Sequence, residues 1–365
     1  MITTKGIVDI EDLVEALPSK DKEIFNRIFY INVTTGTICA PGIMHPWIEK
    51  QFGNLDNVFT QTIVKITNQV TLDGALFNKL RASRPIRSST PCKIASPDCD
   101  NIWDDPLRDP LTTTPKDTFG RVEGKYCITA SNIAKYDGLH GVISFRDYDP
   151  LQFDRDKVID YIQVGWKWAK RAYSTDPSAK YFLFIWNCQW KAGASLEHGH
   201  AQVMLTHGMH YAKIEGLRRN AVWYRRRYNT NYFDDLFHIH SKVGCGMEKE
   251  GVRIISSLTP IKDKEILLFS QSLDLSLMER IYEVLNAYRQ CMGVRAFNLA
   301  LITSPFGEVE EDWQDFPVLV RIVDRGDPMS RASDMGTMEL YAASVVASDP
   351  MKVSRILWQS LADVD

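Results

Sequence analysis

The sequence predicts an α+β fold made of two similar units in tandem, each an antiparallel sheet with helices packed on one face. One observation is the order of periodic segments between residues 125 and 205, which is strand, strand, helix, strand, strand. A second is that a similar order returns after residue 250. A third is the length, because 365 residues exceed an ordinary domain and suit a duplicated unit.

The first unit is predicted from short apolar strands around one amphipathic helix. Strands are expected at residues 125–130, 140–145 and 181–187. Residues 155–173 place apolar side chains at helical intervals, opposite a face of Lys and Arg. The last strand is expected to begin near residue 198, and it carries the histidines that concern function.

The second unit is predicted to be a degenerate copy of the first. Its strands are expected at 252–256, 265–270, 297–303 and 317–324, its helix at 275–292, and a final strand and helix at 338–344 and 349–357. The strand at 317–324 stands where a histidine strand would fall but has no histidine. The predicted organisation is an N-terminal extension (1–70), a catalytic unit (71–212), a connector (213–250) and the degenerate unit (251–365).

Candidate chemical groups concentrate in residues 187–205. Side chains alternate across a strand, so His198, His200 and Gln202 would stand on one face, with small apolar residues on the other. The backbone N–H groups of the preceding small-residue turn could approach an anion closely. That turn is formed by Gly193, Ala194 and Ser195. The pattern therefore predicts a phosphate site beside two imidazoles.

An imidazole beside a phosphate can attack phosphorus and carry a nucleotidyl group covalently. His200 is the preferred nucleophile because it lies between His198 and Gln202, and histidine is largely neutral near pH 7. Gln202 can donate hydrogen bonds to phosphate oxygens but cannot deliver a proton to a leaving group. This favours transfer to another phosphate over hydrolysis.

Asn187, Gly193, Ser195 and the pattern His198-x-His200-x-Gln202 resemble the active-site motif of the galactose-1-phosphate uridylyltransferase branch of the histidine-triad superfamily. That branch includes phosphorylases of nucleotide sugars and of diadenosine tetraphosphate. The resemblance implies two tandem histidine-triad-like repeats, the second degenerate, and a homodimer. It also implies that His200 forms the nucleotidyl-imidazole, with Gln202 and Ser195 contacting the transferred phosphate and Asn187 ordering the loop. Gly199 stands where the branch usually has proline.

Weaker matches follow the family order elsewhere in the chain. Arg81-x-x-Arg84-Pro85 resembles an element that contacts the nucleotide, and two arginine forks suit phosphate oxygens. Asn132 matches a nucleotide-contacting Asn, although a turn cap would explain it as well. From the second unit, Arg321 or Arg325 could bind substrate phosphate.

A structural zinc ion is a further implication of the resemblance. The family binds zinc through a Cys-x-x-Cys pair and two histidines. Here Cys92 is followed by Ala95 at the second thiolate position, and Cys99 comes later. The conceivable ligand set is Cys92, Cys99, His140 and His198. A metal-free version is at least as well supported, so no cofactor is assigned with certainty.

Composition limits the classes of partner. A net charge of -3 gives no general attraction to nucleic acid, and no stretch has the roughly 18 apolar residues that a membrane span needs. Seven scattered cysteines favour a reducing compartment, and no secretory signal is evident, so a cytoplasmic protein is expected. The expected partners are a nucleotide or nucleotide-sugar donor and a phosphate acceptor.

Three functions stay open at this level. The first is a nucleotidyltransferase that acts through His200, and a phosphorylase of the same mechanism would differ only in its acceptor. The second is a metalloprotein with His198 and His200 as ligands, because His-x-His on a strand is also a metal-binding spacing. The third is a nucleotide-binding protein without turnover.

Overall fold

Two β-sheets organise the chain. The computed structural model describes residues 5–83, 105–330 and 333–362, and Arg84, Cys92 and Cys99 lie outside these ranges. The described strands are β1 (Phe29–Thr37), β2 (Thr60–Asn68), β3 (Gly74–Phe77), β4 (Cys127–Ser131), β5 (Leu139–Phe145), β6 (Ala179–Cys188), β7 (His200–His207), β8 (Gly246–Lys249), β9 (Val252–Ser256), β10 (Ile266–Ser270), β11 (Phe297–Ile302), β12 (Val318–Asp324) and β13 (Ser344–Val346).

Helices surround both sheets. The described α-helices are α1 (Ile10–Glu15), α2 (Ser19–Ile28), α3 (His45–Phe52), α4 (Leu55–Phe59), α5 (Pro110–Thr113), α6 (Arg155–Thr175), α7 (Ala212–Tyr228), α8 (Tyr232–Lys242), α9 (Leu275–Cys291), α10 (Thr337–Tyr341) and α11 (Pro350–Ala362). The mixture of antiparallel sheet and packed helices confirms the predicted α+β class. In the described ranges, no helix is both long and apolar enough to cross a membrane.

The larger sheet has the strand order β4-β5-β7-β6-β11-β12-β10-β9-β8, with every neighbouring pair antiparallel. Its centre is the pair β6–β11, where Asn298 lies opposite Asn187. On one side of this pair the strands are β7, β5 and β4, and on the other they are β12, β10, β9 and the edge strand β8. Apart from β8, the two halves of the sheet have the same order of elements.

The long helices α6 and α9 cover one face of this sheet and form the main core with it. Each begins at an aspartate cap, because Asp154 accepts a hydrogen bond from the Lys157 N–H and Asp274 does so from Leu277. Gly165 lets α6 approach closely, since a Cβ there would lie 3.0 Å from Phe184. The face of β7 that packs on α6 is the apolar one.

The smaller sheet has the order β1-β2-β3-β13 and belongs to a second core together with α2 and α8. Its strand β13 comes from the C-terminal part of the chain and pairs in parallel with β3. The domain boundary expected at residue 70 falls between β2 and β3, which are hydrogen-bonded neighbours. The N-terminal segment is thus part of a sheet that draws on both ends of the chain.

One local prediction differs from the structure. Within residues 338–344, expected as a strand, residues 338–341 belong to the short helix α10, and only Ser344 begins the extended β13 (Ser344–Val346). Because only β13 pairs with β3, tertiary pairing decides the local structure here.

Candidate active site

The strand β7 begins at His200, so His198 precedes the strand and does not lie on it. The expectation that His198, His200 and Gln202 share one strand face is therefore wrong for His198. His200 lies opposite Ser144 and Gln202 lies opposite Val142 on the neighbouring β5. These two side chains point to the sheet face opposite α6.

Gly199 explains how the chain turns between the two histidines. Its N–H donates to the Tyr148 carbonyl (2.7 Å), and its carbonyl accepts from the Phe145 N–H (2.9 Å). A Cβ at this position would lie 2.8 Å from the Phe145 ring and 3.0 Å from the Asp147 carbonyl oxygen. A proline would also remove the N–H donor. Glycine therefore fits the close approach of the two segments.

His200 is held in one tautomer. Its side chain is only 5% exposed, and its Nδ1 lies 2.8 Å from the carbonyl oxygen of His198. A carbonyl oxygen can only accept, so Nδ1 carries the proton and Nε2 carries the lone pair. In the described part of the chain Nε2 has no hydrogen-bond partner. Burial lowers the pKa of His200, which keeps the ring neutral and able to act as a nucleophile.

His198 has a different environment. Its Nδ1 lies 2.9 Å from Oδ2 of Asp105, and its Nε2 lies 2.9 Å from the Phe145 carbonyl oxygen. The ring of Tyr148 meets the imidazole edge-on, with centroids 5.6 Å apart. Both ring nitrogens thus have protein oxygens as partners. His198 anchors the turn, and its carbonyl oxygen orients His200.

Gln202 is joined to His140 across β5 and β7. Nε2 of His140 lies 2.9 Å from Oε1 of Gln202, and Nδ1 accepts a hydrogen bond from the Tyr136 N–H (3.0 Å). His140 is fully buried, and burial lowers its pKa. Asn132 adjoins the same ring, with Nδ2 3.2 Å from Nε2 of His140. Asn132, predicted as a nucleotide contact, therefore lies beside His140 and Gln202.

The described residues do not fit the zinc site implied by the resemblance. His140 lies opposite Met204 whereas His200 lies opposite Ser144, so His140 is four residues, or roughly 13 Å, along β5 from the level of His200. His198 comes before His200, farther still from His140. Zinc ligands must converge within a few ångströms of one ion. Within the described ranges, no group of three or more His, Cys, Asp or Glu residues could hold a metal.

The loop between β6 and β7 is supported from the second half of the sheet. Nδ2 of Asn298 donates to Oδ1 of Asn187 (2.7 Å) and to the Ala192 carbonyl (2.8 Å). Nη1 of Arg325 donates to Oδ1 of Asn298 (2.6 Å). Arg325 is also paired with Asp334. Asn187, predicted to order the loop, is joined to the Ala192 carbonyl through Asn298.

The small-residue turn differs from the predicted phosphate cradle. The Gly193 N–H donates to the Trp190 carbonyl (2.9 Å) and the Ala194 N–H donates to the Gln189 carbonyl (3.3 Å). These two donors are therefore used inside the turn and are not free for an anion. Ser195 is exposed, and in the described residues neither its N–H nor its hydroxyl makes a hydrogen bond. Of the three turn residues, Ser195 keeps the donors that the prediction required.

Three of the predicted arginines, Arg81, Arg321 and Arg325, belong to the described part of the chain. Arg81 lines a cavity of about 380 Å³ together with Lys262 and Arg325. Arg321 instead points to the interior, where Nε and Nη2 donate to Oε1 of Glu265 (2.9 and 2.7 Å). Arg321, suggested as a phosphate ligand, is therefore already paired with a buried carboxylate. Arg325 is engaged with Asn298 and Asp334.

The chain was compared with known protein families, sequences and structures. No family model and no curated protein sequence matches the chain. An ADP-glucose phosphorylase from Arabidopsis thaliana, solved with ADP-glucose bound, matches at 15% identity and a TM-score of 0.59, over 79% of this chain and 95% of that one. A GALT-like protein from Arabidopsis thaliana matches at 15% identity and a TM-score of 0.58, over 80% of this chain and 97% of that one.

A uridylyltransferase mutant also matches, at 13% identity and a TM-score of 0.55, over 71% of this chain and 96% of that one. The chain has the uridylyltransferase fold. The resemblance drawn from the His198-x-His200-x-Gln202 pattern is thereby confirmed at the level of the fold. The matches cover nearly the whole of each related structure.

Within the uridylyltransferase fold, sequence reasoning missed three residues that support the site. Asp105 bonds His198, Asn298 bonds Asn187, and the Tyr148 hydroxyl donates to Glu197 (3.1 Å). Asn298 could have been recognised from the sequence, because it is a polar residue inside an apolar strand. Asp105 and Tyr148 lie in irregular segments, where spacing does not reveal a partner.

Proposed function

We propose that this protein is a nucleotidyltransferase that moves a nucleoside monophosphate from a diphosphate-linked donor to a phosphate acceptor through His200. The observation that carries the proposal is the state of that ring, with Nδ1 bonded to the His198 carbonyl and the Nε2 lone pair unpartnered in the described part of the chain. The uridylyltransferase fold supports it independently. The related structures are named as uridylyltransferases and an ADP-glucose phosphorylase.

The reaction has two displacements. In the first, the Nε2 lone pair of His200 bonds to the phosphorus of the nucleoside monophosphate, and the bond from that phosphorus to the bridging oxygen breaks. The electron pair leaves with the departing phosphate, which needs no proton. In the second, an oxygen of the acceptor phosphate bonds to the same phosphorus, and the bond to Nε2 breaks. The ring then returns to its starting state.

The surrounding residues stabilise these steps. The ring becomes cationic when Nε2 binds phosphorus, and the His198 carbonyl oxygen stabilises the charge through the Nδ1 proton. The amide group of Gln202 donates to a phosphate oxygen. Ser195 supplies a hydroxyl and an N–H to the transferred phosphate. Arg81, Arg84 and Asn132 remain the proposed nucleotide-binding residues.

The second half of the larger sheet is proposed to be a degenerate histidine-triad repeat. This is supported by the matching strand order on the two sides of the β6–β11 pair and by the absence of histidine from β12. Its role is to support the catalytic loop through Asn298. A homodimer is also proposed, from the resemblance alone, and light scattering on the purified protein measures it.

The test is to trap the covalent intermediate. The protein is incubated with nucleotide sugars labelled in the phosphate next to the nucleoside, then denatured, and the label should be acid-labile, stable to base and located on His200. His200→Gly should abolish it, whereas His207→Asn, at the far end of the same strand, should retain it. Label that persists in His200→Gly, or never appears with any donor, contradicts the proposal.

A phosphorylase is the second candidate, because the ADP-glucose phosphorylase has the same fold. It shares the covalent step and differs in using inorganic phosphate as the acceptor. Release of label from His200 by inorganic phosphate, but not by sugar phosphates, would identify it. The metalloprotein alternative lacks support, since both ring nitrogens of His198 have oxygen partners. Activity lost to chelators and restored by metal would revive it.

A further inference from the structure

We propose that His140 is a positioning residue that fixes the side-chain amide of Gln202 with its NH₂ group available to the transferred phosphate. The inference rests on the proposed function and deepens it. His140 was expected to be a zinc ligand, but its ring reaches Gln202 at 2.9 Å and is separated from His198. It has no part in the chemical steps described above.

The direction of the amide follows from the His140 tautomer. The backbone N–H of Tyr136 can only donate, so it occupies the lone pair of Nδ1 (3.0 Å). A neutral imidazole has one lone pair, and therefore Nε2 carries the proton. Its partner at 2.9 Å must be an acceptor, which is Oε1 of Gln202. The amide NH₂ of Gln202 then points away from His140.

The surroundings hold His140 in this state. The ring is fully buried and stacked on Tyr136, with centroids 4.8 Å apart. Nζ of Lys135 donates to the His140 carbonyl oxygen (3.0 Å), which fixes the backbone as well. Oδ1 of Asn132 accepts from the Ala134 N–H (3.0 Å), so the end of Asn132 that faces Nε2 of His140, at 3.2 Å, is its NH₂ group. That group is a donor and cannot accept the Nε2 proton, which leaves Oε1 of Gln202 as the acceptor.

The orientation matters because the two ends of an amide have opposite polarity. With the NH₂ group toward the phosphate, Gln202 donates a hydrogen bond to developing negative charge. If the amide rotates by half a turn, its carbonyl oxygen faces the phosphate oxygens and repels them. Gln202 alone has no preference between these states, since oxygen and nitrogen are nearly equal in size. His140 supplies the preference.

The test is a double-mutant cycle on the rate of nucleotidyl-His200 formation. The variants are His140→Phe, which keeps a stacking ring without nitrogens, Gln202→Ala, and the two combined. His140→Phe alone should slow labelling at least tenfold, the scale expected for losing one donor to the transition state. In the Gln202→Ala background the same change should alter the rate less than twofold, because the amide is already absent.

Equal fold losses in both backgrounds would overturn the inference, because His140 would then act independently of Gln202. His140→Leu is the second variant if His140→Phe lowers the melting temperature, and it should show the same coupling because it also lacks a donor for Gln202. His207→Phe is the matched control and should leave the rate unchanged. Absence of label in the wild-type protein would defeat the proposed function, whereas labelling with uncoupled effects would defeat only this inference.

Discussion

Single residues set the geometry of the site, and Gly199 is one that has no room for a side chain. A Cβ there would meet the Phe145 ring at 2.8 Å and backbone atoms of Asp147 and Pro150 at 3.0 and 3.2 Å. We expect Gly199→Ala to reduce the free energy of unfolding by about 1–3 kcal/mol, as other overpacking substitutions do. It should also slow labelling of His200, because the His198 carbonyl must shift. Urea unfolding and the labelling assay measure the two effects.

The control for Gly199→Ala is the same substitution where there is room. Gly216 lies inside α7, and a Cβ there would meet nothing within 4 Å. Gly216→Ala should raise the free energy of unfolding by roughly 0.5–1 kcal/mol, since alanine favours the helix. Equal stability of Gly199→Ala and wild type would show that the segments around Gly199 can separate without cost.

At the scale of elements, the strand β11 of one half of the larger sheet stabilises the loop between β6 and β7 in the other half. Asn298 bonds both Asn187 and the Ala192 carbonyl, across the pair β6–β11. Asn298→Leu keeps the volume but removes both hydrogen bonds, and we expect labelling of His200 to slow by about tenfold, the cost of roughly 1.4 kcal/mol. Asn286→Leu, on α9, is the matched control and should not change the rate. An unchanged rate in Asn298→Leu would mean that the loop keeps its shape without β11.

Helices and strands whose residues show a clear hydrophobic periodicity could be predicted from the sequence. Contacts between these elements could not. The helix α6 followed from apolar residues at helical spacing, and β9 and β11 followed from short apolar runs. The break in strand structure at Gly199 could not, because it depends on the carbonyl of Tyr148 and the N–H of Phe145 in another segment. The expected strand beyond residue 338 became a helix for a similar reason, since only β13 finds a partner in β3.

The site residues divide in the same way. His200 and Gln202 are adjacent in the strand pattern, so their common face was predictable from alternation alone. The partner of each ring was not, because Asp105 lies 93 residues before His198, and His140 lies 62 residues before Gln202. His140 was identified as important but given a metal-binding role that its hydrogen bonds do not support. Long-range pairing assigns the role of a polar residue.

The whole molecule is held together by a second core between the smaller sheet, α8 and the larger sheet, and a buried histidine makes this core sensitive to pH. His240 on α8 is 1% exposed and meets the Phe29 ring of β1 edge-on, with centroids 5.6 Å apart. Its Nδ1 lies 2.8 Å from the Leu236 carbonyl, so Nδ1 donates, and Nε2 accepts from the Leu258 N–H (3.2 Å). The ring is thus satisfied only when neutral.

Burial lowers the pKa of His240 to about 4, from an ordinary value of 6.5. Between these values the unfolded chain binds a proton that the folded chain does not, so the free energy of unfolding should fall as pH decreases from about 6.5 toward 4. One such histidine changes the free energy of unfolding by at most about 1.4 kcal/mol per pH unit. His240→Leu should be less stable at pH 7 but lose less stability on acidification than wild type. Urea unfolding at pH 7, 6 and 5 measures the slope.

Ile239→Ala separates titration from simple destabilisation of α8. Ile239 is fully buried next to His240 but does not titrate, so Ile239→Ala should reduce the free energy of unfolding by about 2–5 kcal/mol at every pH and keep the wild-type slope. Burial also lowers the pKa of His210 to about 4. Because both variants keep His210, both should retain part of the dependence of the free energy of unfolding on pH. If the free energy of unfolding of His240→Leu and Ile239→Ala changed equally with pH, the acid sensitivity would arise from other groups. The folded protein would then accommodate the protonated ring of His240, with a new acceptor for the proton on Nε2.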